Sequence, residues 1–199
     1  MTIVYISRHS KPLKIKELET DKWPLSDEGE IRAKKLSELS ELSEIDSIYS
    51  SNYLRAISTA KYVADTNNIL LNVDSRFGER KFGTNVPDNF EELQFKDWDY
   101  KMYDGESLNE VSLRMNEVLS EVLDSNKDKK IMIVSHATAI SAMLDKWCSV
   151  RLNEETKLIE IYFNGNLVFD GSWNAPELFK LEFDNNELIS IKNIEVDYE

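Results

Sequence analysis

The 199-residue sequence predicts an α/β protein of three layers (α/β/α), with helices over both faces of a mostly parallel central sheet and antiparallel hairpins toward the C-terminus. Three observations carry that prediction. Short apolar runs of strand length, "TIVYIS", "DSIYS", "ILLNV" and "KIMIVS", recur along the first two thirds of the chain. Between them stand longer segments with helical spacing, the alternation that builds parallel sheets through crossover helices. Beyond about residue 157 the pattern changes to paired strand-like runs broken by short Asn and Gly turns.

The first strand covers residues 2–7 and runs into a polar loop. A helix follows in "WPLSDEGEIRAKKLSELSEL", where Ser26 is placed to accept from the free amides of the first turn, and Asp27 and Glu28 suit its positive end. The second strand, "DSIYS", leads into a helix over "NYLRAISTAKYVADT". The third, beginning at Ile69, leads into "DSRFGERKFG". Residues 82–104 are aromatic-rich and irregular, holding Trp98, Tyr100 and Tyr103, and read as a long loop or short helices folded over something, the usual form of an active-site cover. The clearest periodic segment comes next. Leu108, Val111, Met115, Val118 and Val122 recur at alternating steps of three and four, which puts all five on one face of a helix packed on the sheet. A strand over residues 131–134 ends just before His136, and "ATAISAMLDKWC" continues as helix. "KLIEIYFNGNLVFDG" and "LFKLEFDNNELISIKNI" read as hairpins turning at Asn164-Gly165 and Asn185-Asn186.

Composition narrows the function. The chain is long enough for one sizeable core and is read as a single domain over residues 1–199, with 41% apolar residues. Its 24 basic and 37 acidic residues leave a formal charge of −13, a surface that repels nucleic acid and anionic lipid. An anionic ligand must therefore be captured by a local basic pocket. Cys148 is the only cysteine, which excludes an internal disulfide and a cysteine-based zinc cluster. The N-terminus lacks the pattern of a signal peptide, and no run of about 18 apolar residues stands ready to span a membrane, so a cytoplasmic location is expected.

The chemistry centres on the two histidines, His9 and His136, each directly after a strand. In open α/β sheets, ligands bind at the carboxyl edge of the strands. Arg8 lies at the same strand end as His9, and Arg55 stands just past the second strand near a helix start, where free amides favour an anion. Three strand ends thus bring two arginines and two histidines to one edge, the outline of a phosphate pocket. Cleavage of a phosphate monoester calls for these groups. Two unit charges about 4 Å apart interact by about 4 kcal/mol at a surface-like dielectric, so the dianion repels a nucleophile until cations surround it. Arginine's planar fork fits phosphate oxygens, and a neutral imidazole can attack phosphorus to form a phosphohistidine. A carboxylic acid such as Glu79 can protonate the departing alkoxide.

Taken in order, "SRHS", "PLSDEGEIRAKKL", "SSNYLRAISTA", "RFGERKFG", "DGESLNEVSLRM" and "VSHATAI" resemble the histidine phosphatase superfamily, branch 1, the group that includes cofactor-dependent phosphoglycerate mutases and many small phosphatases. The resemblance covers nearly the whole chain through about Ile140 and implies a phosphoglycerate mutase-like fold. It also implies that His9 is the phosphorylated nucleophile, that Arg8, Arg55 and His136 hold the phosphate, and that Glu79 is the proton donor. The choice of Glu79 among the acids leans mainly on that pattern. The chain departs from the mutases at Ser10, Pro12 and Ile15, and "TNVPDNFEE" replaces the usual Trp-Glu-Gly after "ERKFG". The expected activity is therefore hydrolysis of a small phosphorylated metabolite, with a phosphomutase or an inactive phosphate-binding regulatory protein as alternatives. Ser10, Lys11 and Lys14 are candidate substrate contacts. Neither a cofactor nor a metal is expected: two histidines without a close spacing such as H-E-x-x-H make a poor metal site. Small phosphorylated substrate is the expected partner, and the sequence leaves the oligomeric state open.

Overall fold

In the computed structural model, which describes residues 1–198, six strands form one sheet in the order β3-β2-β4-β1-β8-β9. They are β1 (Thr2–Arg8), β2 (Ser47–Ser50), β3 (Leu71–Val73), β4 (Lys130–Ser135), β8 (Glu177–Asp184) and β9 (Glu187–Ile194). The first four are parallel: Ile6 of β1 lies opposite Ile133 of β4, and Ile48 of β2 opposite Met132. β8 joins β1 antiparallel and β9 pairs with β8, so the sheet is mixed with a parallel middle, as the alternation predicts.

Strand period places successive side chains on opposite faces, and here both faces are covered. Val4 and Ile6 of β1, with Ile131 and Ile133 of β4, pack under α4 (Leu108–Ser125) and α5 (Ala137–Leu144). Tyr5 of β1 and Met132 and Val134 of β4 face the other way, onto α1 (Asp27–Ser37) and α2 (Leu54–Asn67), through Leu36, Ala56, Ala60 and Val63. This is the three-layer arrangement. The five stripe residues of α4 are all buried, and each such side chain removed from water contributes roughly 1.5–3 kcal/mol.

The helix starts follow their caps. Ser26 accepts from the Gly29 N–H at 3.1 Å, and Ser107 and Glu110 exchange side chain to backbone bonds in a capping box at the head of α4. Gly29 is required for another reason: a Cβ there would lie 2.1 Å from the Lys11 carbonyl oxygen, so the loop after β1 can rest on α1 only over a glycine. Both hairpin turns sit where the sequence puts them. Asn164 and Gly165 have φ of 50° and 81°, and Asn185 and Asn186 have 48° and 67°, the left-handed pairs that match strand twist.

The structure corrects two boundaries and adds one sheet. β3 begins at Leu71, two residues later than expected, because Leu70 is exposed and unpaired in the ladder. The helix after His136 ends at Leu144, and Ser149–Leu152 leaves it as a strand, β5. β5 pairs with β6 (Ile159–Phe163), which pairs with β7 (Asn166–Phe169), so the first hairpin belongs to a separate three-stranded sheet. Within the aromatic stretch, Phe90–Lys96 forms a short helix, α3.

Candidate active site

The carboxyl ends of β1, β2 and β4 meet because the parallel ladder runs past its last residues. The His9 N–H donates to the Ser135 carbonyl at 2.9 Å, and the Ser51 N–H to the Val134 carbonyl at 3.0 Å. His9, Ser51 and His136 therefore stand side by side on adjacent strand ends. The two imidazoles lie 5.0 Å apart between centroids, edge to face.

Arg55, from the first turn of α2, links them. Its Nε donates to His9 Nε2 at 2.9 Å, Nη2 donates to His136 Nδ1 at 3.2 Å, and Nη1 donates to the Thr20 carbonyl at 2.6 Å. These contacts assign the tautomers. His9 Nδ1 lies 2.7 Å from the Ser10 carbonyl, which can only accept, so Nδ1 carries the proton and the Nε2 lone pair points at Arg55. His136 accepts through Nδ1, so its Nε2–H donates to Ser51 Oγ at 2.8 Å. Ser51 Oγ also accepts the Tyr53 N–H at 3.1 Å, and the Tyr53 ring packs 4.7 Å from that of His136 and 4.7 Å from the Arg55 guanidinium.

Burial first, and the Arg55 charge second, hold the His9 pKa down at about 3. Burial likewise pushes His136 well below its ordinary value, with His9 and Arg55 adding to the shift. Both imidazoles are neutral at neutral pH. A neutral ring with its Nδ1 proton tied to a carbonyl and its Nε2 lone pair facing a cation is prepared for attack on a phosphorus bound by that cation.

Glu79 reaches the same place from the loop after β3. A short helical turn at Ser75–Phe77 ends there, and the Ser135 hydroxyl ties it to the end of β4 by donating to the Phe77 carbonyl at 2.7 Å. Glu79 Oε1 accepts from the N–H of Arg80 at 2.9 Å and from that of Ala139, in the first turn of α5, at 3.2 Å. Burial pushes the carboxyl pKa up, against the opposing pull of those two amides and of Arg55 and Arg114. A carboxyl shifted this way holds its proton to higher pH, as a general acid must.

Arg114 of α4 sets that loop. Its guanidinium donates to the carbonyls of Arg76 at 2.7 Å, Gly78 at 3.0 Å and Glu79 at 3.2 Å, and pairs bidentately with Glu106 at 2.7 and 3.0 Å. Arg80 is 1% exposed, donates to the carbonyls of Glu106 and Tyr100, and has its guanidinium 4.5 Å from the Phe90 ring. Phe90 in turn packs on Phe82 and Tyr100. The aromatic stretch is thus folded around Arg80, beside the site, while Tyr103 is fully exposed.

Five predicted residues, Arg8, His9, Arg55, Glu79 and His136, are brought to this edge. Arg8 Nη1 donates to the carbonyls of Trp173 and Asn174 at 3.2 and 3.1 Å, and its buried Nε has no hydrogen-bond partner among the described residues. The three loop candidates are placed differently. Ser10 is buried, but its hydroxyl donates to the Gly29 carbonyl at 2.7 Å and its amide to Thr59, so it braces the loop. Lys11 pairs with Glu28 of α1 on the surface, and Lys14 is exposed on the loop. No hydrogen bond brings either lysine to the histidines. Two residues escaped the sequence reading. Ser51 could have been found from its strand-end position, whereas Arg114 looks in sequence like any arginine on a helix surface. Among the described residues, no group of three or more His, Cys, Asp or Glu side chains is placed to hold a metal ion, and no helix is long and apolar enough to cross a membrane.

An α/β sheet that collects two neutral histidines, two arginines and a proton-holding carboxyl at its carboxyl edge defines a phosphoryl-transfer class of site. The chain belongs to the histidine phosphatase superfamily (branch 1), whose family model matches residues 4–164. Solved structures repeat the fold. Mycobacterial glucosyl-3-phosphoglycerate phosphatase in complex with VO3 superposes with a TM-score of 0.71 at 19% identity, over 96% of each chain. Phosphoserine phosphatase from Entamoeba histolytica, in complex with 3-phosphoglyceric acid, does so with a TM-score of 0.69 at 20% identity, over 98% of each chain. The Bacillus stearothermophilus protein YhfR matches with 0.60 at 18% identity, over 83% of this chain and 98% of its own. No curated protein matches the sequence.

Proposed function

We propose that the chain is a single-domain, metal-independent cytoplasmic phosphatase that hydrolyses the phosphate monoester of a small metabolite through a phosphohistidine on His9. The observation that carries this reading is the His9 ring itself: neutral, its Nδ1 proton held by the Ser10 carbonyl, its Nε2 lone pair on the Arg55 guanidinium. Arg55 would pass from that lone pair to a phosphoryl oxygen as substrate enters, with Arg8 and His136 completing the cradle.

In the first step His9 Nε2 forms a bond to phosphorus as the P–O ester bond breaks, and the proton of Glu79 passes to the departing alkoxide. In the second, the Glu79 carboxylate takes a proton from water as the water oxygen attacks phosphorus. The P–N bond then breaks, releasing inorganic phosphate and restoring His9. Hydrolysis is favoured over transfer back to substrate because the first loop carries Pro12 and Ile15 at positions where the mutases carry polar groups. The phosphatase names of two of the matched structures point the same way.

The test is an assay of a panel of phosphate monoesters with the wild type and with His9→Ala. Wild-type turnover of at least one ester, lowered roughly 10³-fold or more in the variant, is expected of a covalent nucleophile. Retention of turnover by His9→Ala would remove His9 from that role.

A further inference from the structure

Beside Arg8 stands a buried acid that the reaction above does not use. β1 and β8 are antiparallel, and Glu177, the first residue of β8, lies directly opposite Arg8, the last of β1. Residues opposite one another in a sheet share a face, so the carboxylate and the guanidinium leave the same side of the sheet. Glu177 is 5% exposed. Both of its oxygens are taken by uncharged donors: Oε2 accepts the Asn174 N–H at 2.7 Å, and Oε1 accepts from the Asn193 side chain of β9 at 2.6 Å. The Asn193 amide also donates to the Leu178 carbonyl, at 3.3 Å.

Those bonds continue to Arg8. The carbonyls of Trp173 and Asn174, on the segment leading into β8, are the two that accept from Arg8 Nη1. That segment is fixed on both sides. The Trp173 ring packs against Phe169 and Phe179, at 4.8 and 5.6 Å between centroids, and the Tyr198 hydroxyl donates to the Pro176 carbonyl at 3.0 Å. Glu177 reaches back across Ala175 and Pro176 to hold Asn174 itself. Because a guanidinium is planar, anchoring Nη1 on two carbonyls sets the direction of its remaining N–H groups. Charge acts alongside geometry: burial lowers the Arg8 pKa, while Glu79 first and Glu177 second pull it back up. A buried carboxylate met by uncharged donors is costly to keep, and the cation opposite this one is the arginine assigned to phosphate.

We infer that Glu177 is a positioning residue for the phosphate site: through the Asn174 amide it fixes the carbonyls that aim the Arg8 guanidinium. Asn174, Glu177 and Asn193 all lie beyond residue 164, where the family match ends, so this support comes from the C-terminal part of the chain. The inference rests on Arg8 being a phosphate ligand in the phosphatase reading above, and it deepens that reading by naming what holds the ligand in place. Glu177 acts through Arg8 and not on the phosphorus.

The test is a double-mutant cycle on affinity for inorganic phosphate, read by calorimetry. Arg8→Ala should weaken binding roughly tenfold or more, the loss of a charge-assisted contact. Glu177→Met, of similar length but without an acceptor, should weaken it about threefold or more in the wild type and by less than about twofold in the Arg8→Ala protein, because residues that act through one another are not additive. A merely structural Glu177 would give the same loss in both backgrounds. Glu177→Gln keeps an acceptor for the Asn174 amide and should hold affinity within about twofold of the wild type. Circular dichroism checks that each variant is folded. Should Glu177→Met fail to fold, Asn193→Ala, which frees one oxygen of Glu177, enters the same cycle with the same expected coupling. An unchanged affinity in Glu177→Met, an equal loss in both backgrounds, or a loss in Glu177→Gln as large as in Glu177→Met overturns the inference. Phosphate binding that is absent, or indifferent to Arg8→Ala, strikes the phosphatase reading instead, so the two failures are distinguishable.

Discussion

The Nε of Arg55 donates to Nε2 of His9 at 2.9 Å, so the lone pair of the candidate nucleophile is held by the cation that would carry its target. The same guanidinium reaches His136 at 3.2 Å and the Thr20 carbonyl at 2.6 Å, three donors fixed in one plane. A lysine offers a charge but no fork. Arg55→Lys should lower kcat/KM by roughly 10²-fold, the scale on which a preorganised donor contributes to a charged transition state. Steady-state kinetics check this, and a loss within twofold would show that the bridge between the histidines is dispensable.

The depressed histidines make folding stability depend on pH. His9 is neutral in the folded chain down to about pH 3, whereas an unperturbed imidazole takes up its proton near 6.5. As pH falls through 6.5 the unfolded chain binds the proton first, so this contribution to stability is present above that value and is lost progressively toward pH 3. His136 acts in the same direction. The Tm difference between the wild type and His9→Asn should therefore shrink as pH is lowered from 7.5 to 5. A gap that stays constant over that range would mean His9 is not held neutral by the fold.

Glu79 is expected to serve both steps, as acid and then as base. Glu79→Gln should reduce kcat by roughly 10² to 10⁴-fold with alkyl esters. With p-nitrophenyl phosphate, whose leaving group departs without a proton, the first step is spared and the second is not. Phosphate on the protein, labile to acid and stable to alkali, should then accumulate in this variant. Repeated failure to trap it would count against a covalent intermediate. The raised carboxyl pKa also requires that leaving-group protonation by Glu79 be lost as pH rises through that pKa.

Arg114 touches none of the reacting groups, but it holds three carbonyls of the loop that ends in Glu79. Arg114→Ala should lower kcat more than it raises KM and should shift the alkaline limb of the pH profile, because the carboxyl loses both its position and a nearby positive charge. Breaking the half-buried bidentate pair with Glu106 should also lower stability by about 1–3 kcal/mol, read from denaturant unfolding. An unchanged pH profile with reduced stability would make Arg114 a structural residue only.

Local signals made the strands of the parallel sheet and the stripe of α4 readable, because period and capping are written in neighbouring residues. The hairpin turns at Asn164-Gly165 and Asn185-Asn186 were readable for the same reason: left-handed φ selects those residue types. β5 was not. "SVRL" alternates over only four residues directly after an apolar helix, too short a run to stand apart from the helix end, and it becomes a strand by pairing with Glu160 and its neighbours across a turn. Arg80 shows the limit most sharply, since an arginine reads as surface and this one lies under Phe90, its charge answered by carbonyls from residues 20 and 26 positions away.

By itself, then, the sequence determined the fold class and set Arg8, His9, Arg55 and His136 at the carboxyl edge of the sheet, since strand ends place residues without reference to anything distant, whereas Glu79 was singled out by the family pattern. Only the tertiary structure decided how those residues meet. The histidine tautomers, the grip of Arg114 on the Glu79 loop and the bracing role of Ser10 all depend on contacts between segments far apart in the chain. Such contacts form when burial brings buried polar groups together and obliges most of them to pair.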